Sequence, residues 1–259
     1  MKWVALLGAL SGVLLSSCSE RDGGAEPSAA AAMRKLEEIT KRGILADFVK
    51  AISEDEDDKA IALLHPTLAE AWTKERFSHD WKGVRKQLGG GWQPTAMGSF
   101  SGSSPFGPYL QATYRLASDC RSLASLDLTS MQADGKPAIV KIEMRVPYAG
   151  NAPAEVNGLT DRFLAAMLKE DYAAAGEMLS DSARASYPRE MFAQIRPTLG
   201  KSPQSTSRNL YRLCANTVWY DAVRLTPTDD PACFLEIVVS HGQGRGEIVF
   251  LAFKARAHM

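Results

Sequence analysis

The spacing of apolar and polar positions divides this chain into a leader, a polar stretch, and two blocks in which helical periodicity gives way to strand alternation. Trp3 to Leu15 is an apolar run, preceded by Lys2 and followed by Ser16, Ser17 and Cys18. It is shorter than the roughly 20 apolar residues that a membrane-spanning helix needs. Residues 19–28 are polar and Gly-rich, the composition of a flexible tether. From Ala29, with Met33, Leu36 and Ile39 at helical spacing, a helix is predicted. After further helical segments, four strand-like runs follow: Trp92–Phe100, Tyr109–Leu116, Leu123–Ser130 and Ala138–Val146. A second helical block leads into Ser207–Ala215, Val218–Leu225, Phe234–Ser240 and Glu247–Phe253.

The two blocks repeat each other. At an offset of 115 residues, Gly43-Ile44 matches Gly158-Leu159, Phe48 matches Phe163, and Leu63-Leu64 matches Met178-Leu179. Trp72 likewise matches Tyr187, Glu75-x-Phe77 matches Glu190-x-Phe192, and Val84 matches Leu199. The last strands of the two halves differ. Val140, Ile142, Met144 and Val146 alternate with Lys141, Glu143 and Arg145, which predicts a sheet with one face in water. In the second half Ile248, Phe250 and Ala252 alternate with Val249, Leu251 and Phe253, so both faces are expected to be covered. Helices followed by an antiparallel meander predict an α+β fold.

A charged start, an apolar segment and small residues before a cut are the parts of a secretory signal, and Leu15-Ser16-Ser17-Cys18 resembles a bacterial lipobox. That resemblance implies cleavage before Cys18, lipidation of its thiol, and attachment to a membrane lipid. Ser19, where an Asp would retain the protein at the inner membrane, implies the outer membrane facing the periplasm. Over residues 43–256 each half resembles the nuclear transport factor 2-like superfamily. The resemblance is carried by the Phe-x-x-x-Ile/Met helix, the acidic turn, the Leu-Leu-type ending and the Trp/Tyr-x-x-x-x-Phe helix ahead of four strands. It implies two tandem cone-like domains, each with helices followed by a four-stranded antiparallel curved sheet. The expected organisation is a signal peptide over 1–17, lipidated Cys and tether over 18–28, a first domain with its leading helix over 29–148, a linker over 149–156, and a second domain over 157–259.

Composition narrows the partners. The chain holds 30 Lys+Arg and 30 Asp+Glu; without residues 1–17 it loses only Lys2 and carries a net charge of −1. That balance, without a basic cluster, argues against nucleic acid. Cys120, Cys214 and Cys233 match no zinc spacing, and their pairing is open. No metal site and no cofactor are expected.

Enzymes of the resembled superfamily imply acid–base chemistry by an Asp and a Tyr, for which Asp221 with Tyr220, Tyr114, Asp127 and Glu236 are candidates here. Alternation aims Asp127 and Glu236 away from their flanking Leu and Ile residues, which predicts carboxylates that solvate the outer face. His65, His79, His241 and His258 form no constellation, and Glu54 to Asp58 lies at a turn without EF-hand spacing. One segment stands apart. Gly89 to Tyr109 mixes Gly, Ser and Pro with Trp92, Phe100, Phe106 and Tyr109, the composition of a mobile recognition loop with aromatic anchors. The expected protein is a non-catalytic, membrane-anchored binding module for a small apolar or amphipathic ligand or an envelope partner. Its alternatives are an isomerase or dehydratase using a buried carboxylate and Tyr, and a structural envelope subunit.

Overall fold

Four helices open the described part of the chain: α1 (Ile44–Ser53), α2 (Asp57–Ala62), α3 (Pro66–Ala71) and α4 (Lys74–Leu88). The computed structural model describes residues 43–89, 91–117, 123–148, 153–199, 206–230, 232–242 and 245–254. The leader, Cys18, the tether, the helix expected around Met33 to Ile39, and Cys120 lie outside the described residues. Strands β1 (Gln93–Ser104), β2 (Gly107–Ala117), β3 (Leu123–Ala133) and β4 (Lys136–Pro147) follow. Helices α5 (Ala154–Leu168), α6 (Tyr172–Glu177), α7 (Asp181–Ser186) and α8 (Arg189–Ile195) then lead to β5 (Thr206–Ala215), β6 (Val218–Pro227), β7 (Phe234–Gly242) and β8 (Arg245–Lys254). Helix α5 takes up the last three residues of the segment 149–156 expected to be linker, with Pro153 as its cap.

The fold is α+β, with all eight strands where alternation predicts them. They form a single antiparallel sheet in chain order, β1 to β8, instead of two separate four-stranded sheets. The seam is the pairing of β4 with β5 from Glu143↔Ala215 to Pro147↔Tyr211. It is reinforced by the β5–β6 turn, where Asn216 donates its N–H to the Ile142 carbonyl and accepts the Ile142 N–H on its side chain at 3.1 Å.

The internal repeat is visible in local geometry. Asp55 and Glu170 both adopt positive φ, 59° and 60°. The next N–H reaches back in each case, Glu56 to Ala51 and Asp171 to Ala166, both at 2.9 Å. The chain at Leu63–His65 then bridges Ile139 of β4, and the chain at Met178–Ser180 bridges Ile248 of β8 in the same parallel manner. Each of these strands carries a bulge, between Ser130↔Ile139 and Thr129↔Lys141 in one half and between Val239↔Ile248 and Val238↔Phe250 in the other.

Those bulges correct the alternation read from sequence. One extra residue in a strand turns the following side chains over. Ile139, Ile142, Met144 and Val146 therefore join the first core, and Val140 is displaced from it. Likewise Ile248 and Leu251 share the second core, while Val249 and Phe250 pack on the opposite face with Tyr211, Leu213, Ala222 and Val238. Ile248 and Leu251 are buried under the helices, whereas Val249 and Phe250 on the other face are only half-buried, beside neighbouring strands of the same sheet.

The helices lie on one face of the sheet over two buried cores. In the first, Phe48, Trp72, Phe77 and Trp81 are fully buried and stack edge to face, with Trp72–Phe77 centroids 4.9 Å apart. The Trp72 indole N–H is satisfied by Asp80 at 2.9 Å. In the second, Phe163 and Phe192 play the same part, 6.3 Å apart. Tyr187, the match of Trp72, sends its hydroxyl to the edge strand, where it donates to the Leu251 carbonyl at 2.7 Å and accepts the Leu251 N–H at 3.1 Å.

Candidate functional site

The face of the sheet turned away from the helices carries the chemistry. Strict register lays Thr113, Asp127 and Glu143 in one row across β2, β3 and β4, and Arg115, Ser125 and Arg145 in the next. Across the seam, Arg224 of β6 pairs with Glu236 of β7. Arg145 ties these rows together. Its guanidinium donates to Asp127 at 3.0 Å, contacts Glu143 closely, and lies 3.7 Å from Glu236. Arg224 completes the set, 3.1 Å from Glu236 and stacked 4.3 Å over the Phe234 ring. Lys141 pairs with Glu143 at 3.2 Å, and the Thr113 hydroxyl donates to Asp127.

Asp127 and Glu236 do point away from the leucines, but they do not simply solvate the sheet. Glu236 is only 3% exposed. Arg224 lies against it and Arg145 reaches it from β4, so carboxylates from strands far apart in sequence meet on one guanidinium. Burial pushes the Glu143 carboxyl upward, yet Arg145 and Lys141 outweigh it and hold it below the ordinary glutamate range. Burial and the nearby Glu236 charge push the Tyr211 hydroxyl well up, and Arg145 stays protonated throughout despite its burial, held by Glu143 and Glu236.

Beside this network lies an open cleft of about 300 Å³, at the small end of ligand-sized sites. Met97, Arg115, Ser125, Arg145, Tyr211 and Arg224 line it, and no Asp or Glu does. Arg115 is exposed and forms no ion pair among the described residues. Sequence reasoning missed these arginines, because each sits singly on its own strand and only the register collects them.

The aromatic segment divides. Trp92 packs against the first core, so its role is structural. Phe100 and Phe106 are 49% and 74% exposed, and Met97, missed in the sequence, is 54% exposed. Tyr109 lies beside Phe100 with ring centroids 6.0 Å apart, over Gly102, where a Cβ would come within 2.8 Å of the tyrosine ring. Gly102 thus leaves the space that this ring fills. The segment is a paired β-ribbon and not a loop: its Gly and Ser content reads as a turn, but β1 finds a full partner in β2.

The other candidates are placed as follows. Tyr114 is buried in the first core, which pushes its hydroxyl up to about 12; it also borders the cleft, and its hydroxyl has no hydrogen-bond partner among the described residues. Asp221 is 9% exposed and accepts the Tyr148 hydroxyl, and Tyr220 sits on the opposite face. Neither the cleft nor a second cavity of about 220 Å³ around Tyr172, Arg184 and Phe192 reaches Asp221. His65 caps α3 by accepting the Thr67 N–H at 3.3 Å; His79 is exposed, and the strand carrying His241 ends in the β7–β8 hairpin. The acidic run is engaged by bases, with Arg85 on Asp55 and Asp57, Lys74 on Asp58 and Lys59 on Glu56. Cys214 is a buried thiol without a bridge, and its burial pushes its pKa up. Comparison with protein-family models, curated proteins and solved structures returned no match.

Proposed function

We propose that this chain is a lipid-anchored lipoprotein of the bacterial envelope that works as a non-catalytic binding module, engaging a small apolar or amphipathic ligand, or an envelope partner, through the β1–β2 ribbon. Its lipid is carried on Cys18 after removal of residues 1–17, and its place is the outer membrane facing the periplasm. The two halves are proposed as tandem units of the nuclear transport factor 2-like type, joined edge to edge. The observation that carries the reading is the contrast between filled and bare apolar surface. Both helix-side cores are packed with aromatic rings, whereas Met97, Phe100 and Phe106 stand in solvent on one hairpin. Strand β1, Gln93–Ser104, contains no charged residue, and it is the terminal strand of the sheet. Natural edges are usually blunted by charge, and uncharged apolar patches mark contact surfaces.

The Tyr148–Asp221 contact is the one arrangement that favours the enzymatic reading, a part-buried carboxylate beside a phenol. It opens on neither cavity, so the binding reading is preferred. Two measurements test the proposal. Radiolabelled palmitate should enter the wild-type protein and not Cys18→Ser; equal labelling of both removes the anchor. The neutral dye Nile red should brighten on the wild-type protein and lose most of that signal in Phe100→Ser/Phe106→Ser. An unchanged signal removes the ribbon.

A further inference from the structure

The cleft on the open face holds one cation, Arg115, that the ion network does not consume, beside Arg145 and Arg224, which belong to the network. Asp127, Glu143 and Glu236 are balanced by Lys141, Arg145 and Arg224, so the network itself is neutral. Arg115 is then a surplus positive charge on the cleft wall, and no carboxylate shares that wall. Register sets Ser125 directly between Arg115 and Arg145. With strands about 4.8 Å apart, the two arginine Cα atoms stand roughly 10 Å from each other, with a hydroxyl midway. Arg115 on one side of the Ser125 hydroxyl, and on the other Arg145, whose Nε–H has no hydrogen-bond partner among the described residues, make a site for a planar or tetrahedral oxyanion.

An apolar track leaves the same cleft. Met97 lines it, and Phe100 and Tyr109 continue along the face that carries Arg115, since Phe100 pairs with Gln111 and Tyr109 lies across from Gly102. From Arg115 to Gln111 is four residues of strand, about 13 Å, within reach of a medium-length acyl chain.

We propose that this cleft binds a singly charged oxyanion bearing an apolar chain, with the anion between Arg115, Ser125 and Arg145 and the chain along Met97 and Phe100. This rests on the ribbon being a binding surface and adds the charge and shape of what it takes. A fatty carboxylate and a phosphodiester lipid headgroup share this chemistry, and the experiment separates them.

The full chain, held in a nanodisc of zwitterionic phosphatidylcholine, is titrated with octanoate, with short-chain dihexanoyl phosphatidylglycerol, and with neutral octanol. Wild type, Arg115→Gln and Phe100→Ser are compared in the same lipid background. Either anion should bind at least tenfold more tightly than octanol, and Arg115→Gln should abolish that preference while leaving octanol binding as it was. Phe100→Ser should weaken all three probes. Which anion binds better assigns the source. Anion binding no tighter than octanol, or unchanged in Arg115→Gln, overturns the proposal. If octanol still binds and Phe100→Ser weakens it, the ribbon reading survives that failure; if no probe binds, both fall.

Discussion

The two faces of the one sheet are built from the same alternating strands, yet they do opposite work. On the helix side, side chains from β2, β3 and β4 meet Phe48, Trp72, Phe77 and Trp81 in a buried core. On the open side the intervening residues of those strands assemble an ionic network, a cleft and an apolar ribbon. On the proposed reading, the helix face carries most of the stability and the open face carries the specificity. Substitutions should separate these two quantities.

The largest effect belongs to the helix face. Trp81 is fully buried and touches both Phe48 and Phe77. Trp81→Ala should cost about 3–5 kcal/mol of stability, the range for removing a buried aromatic side chain, read as a lower urea midpoint. Variant protein that remains folded should still bind the apolar probe, because Met97, Phe100 and Phe106 lie outside the core that contains Trp81. A loss of binding without a loss of stability would dissolve the division between the faces.

Arg145 is the strongest lever on the open face. Replacing it with Met leaves Asp127, Glu143 and Glu236 around an uncharged side chain. Breaking a buried ion network costs about 3–5 kcal/mol, and since Arg145 keeps 27% exposure, about 2–3 kcal/mol is expected. A change under about 0.5 kcal/mol would mean that the network is screened by water and contributes only surface pairs.

How much of this contrast was legible depended on whether a feature was local. The eight strands and the paired helices announce themselves through alternation and the repeat of 115. The bulges at Val140 and Val249 have no marker in composition, so strict alternation puts these two residues on the wrong face, while Ile142, Met144, Val146 and Leu251 keep the faces it predicts. The β4–β5 seam also lacks one, because an edge strand and an interior strand read alike when the partner lies across a helical insertion. Asp127 and Glu236 were placed on the correct face but given the wrong surroundings, since the charges that bury them come from β4 and β6. Phe100, Phe106 and Tyr109 were visible as aromatics among small residues, while Trp92 in the same stretch belongs to the core.

The pH dependence of the open face tests the network more gently. Glu143 has a lowered pKa when folded, because Arg145 and Lys141 outweigh its burial. Between that lowered value and the ordinary glutamate value, the unfolded state therefore binds more protons than the folded one, and stability rises with pH. The Glu143 contribution is complete above the ordinary range and is lost as pH falls through the lowered value. Urea midpoints measured on the acid side should fall less steeply for Glu143→Gln than for wild type. Parallel curves would place the acid sensitivity in other carboxylates.

The smallest expected stability change is the most informative about the ribbon. Phe106 is 74% exposed, at the tip of the β1–β2 hairpin, where the Ser104 hydroxyl accepts its backbone N–H at 3.2 Å. That turn bond does not involve the ring, so Phe106→Ser removes only exposed apolar surface. Its stability should lie within about 0.5 kcal/mol of wild type, as for surface changes away from caps and cores. If the ribbon is a contact surface, the same change should lower Nile red binding without altering the preference for anions over octanol, which resides at Arg115. A stability loss above 1 kcal/mol would instead make Phe106 part of the packing, and the exposed ribbon would then belong with the helix face as an element of the fold.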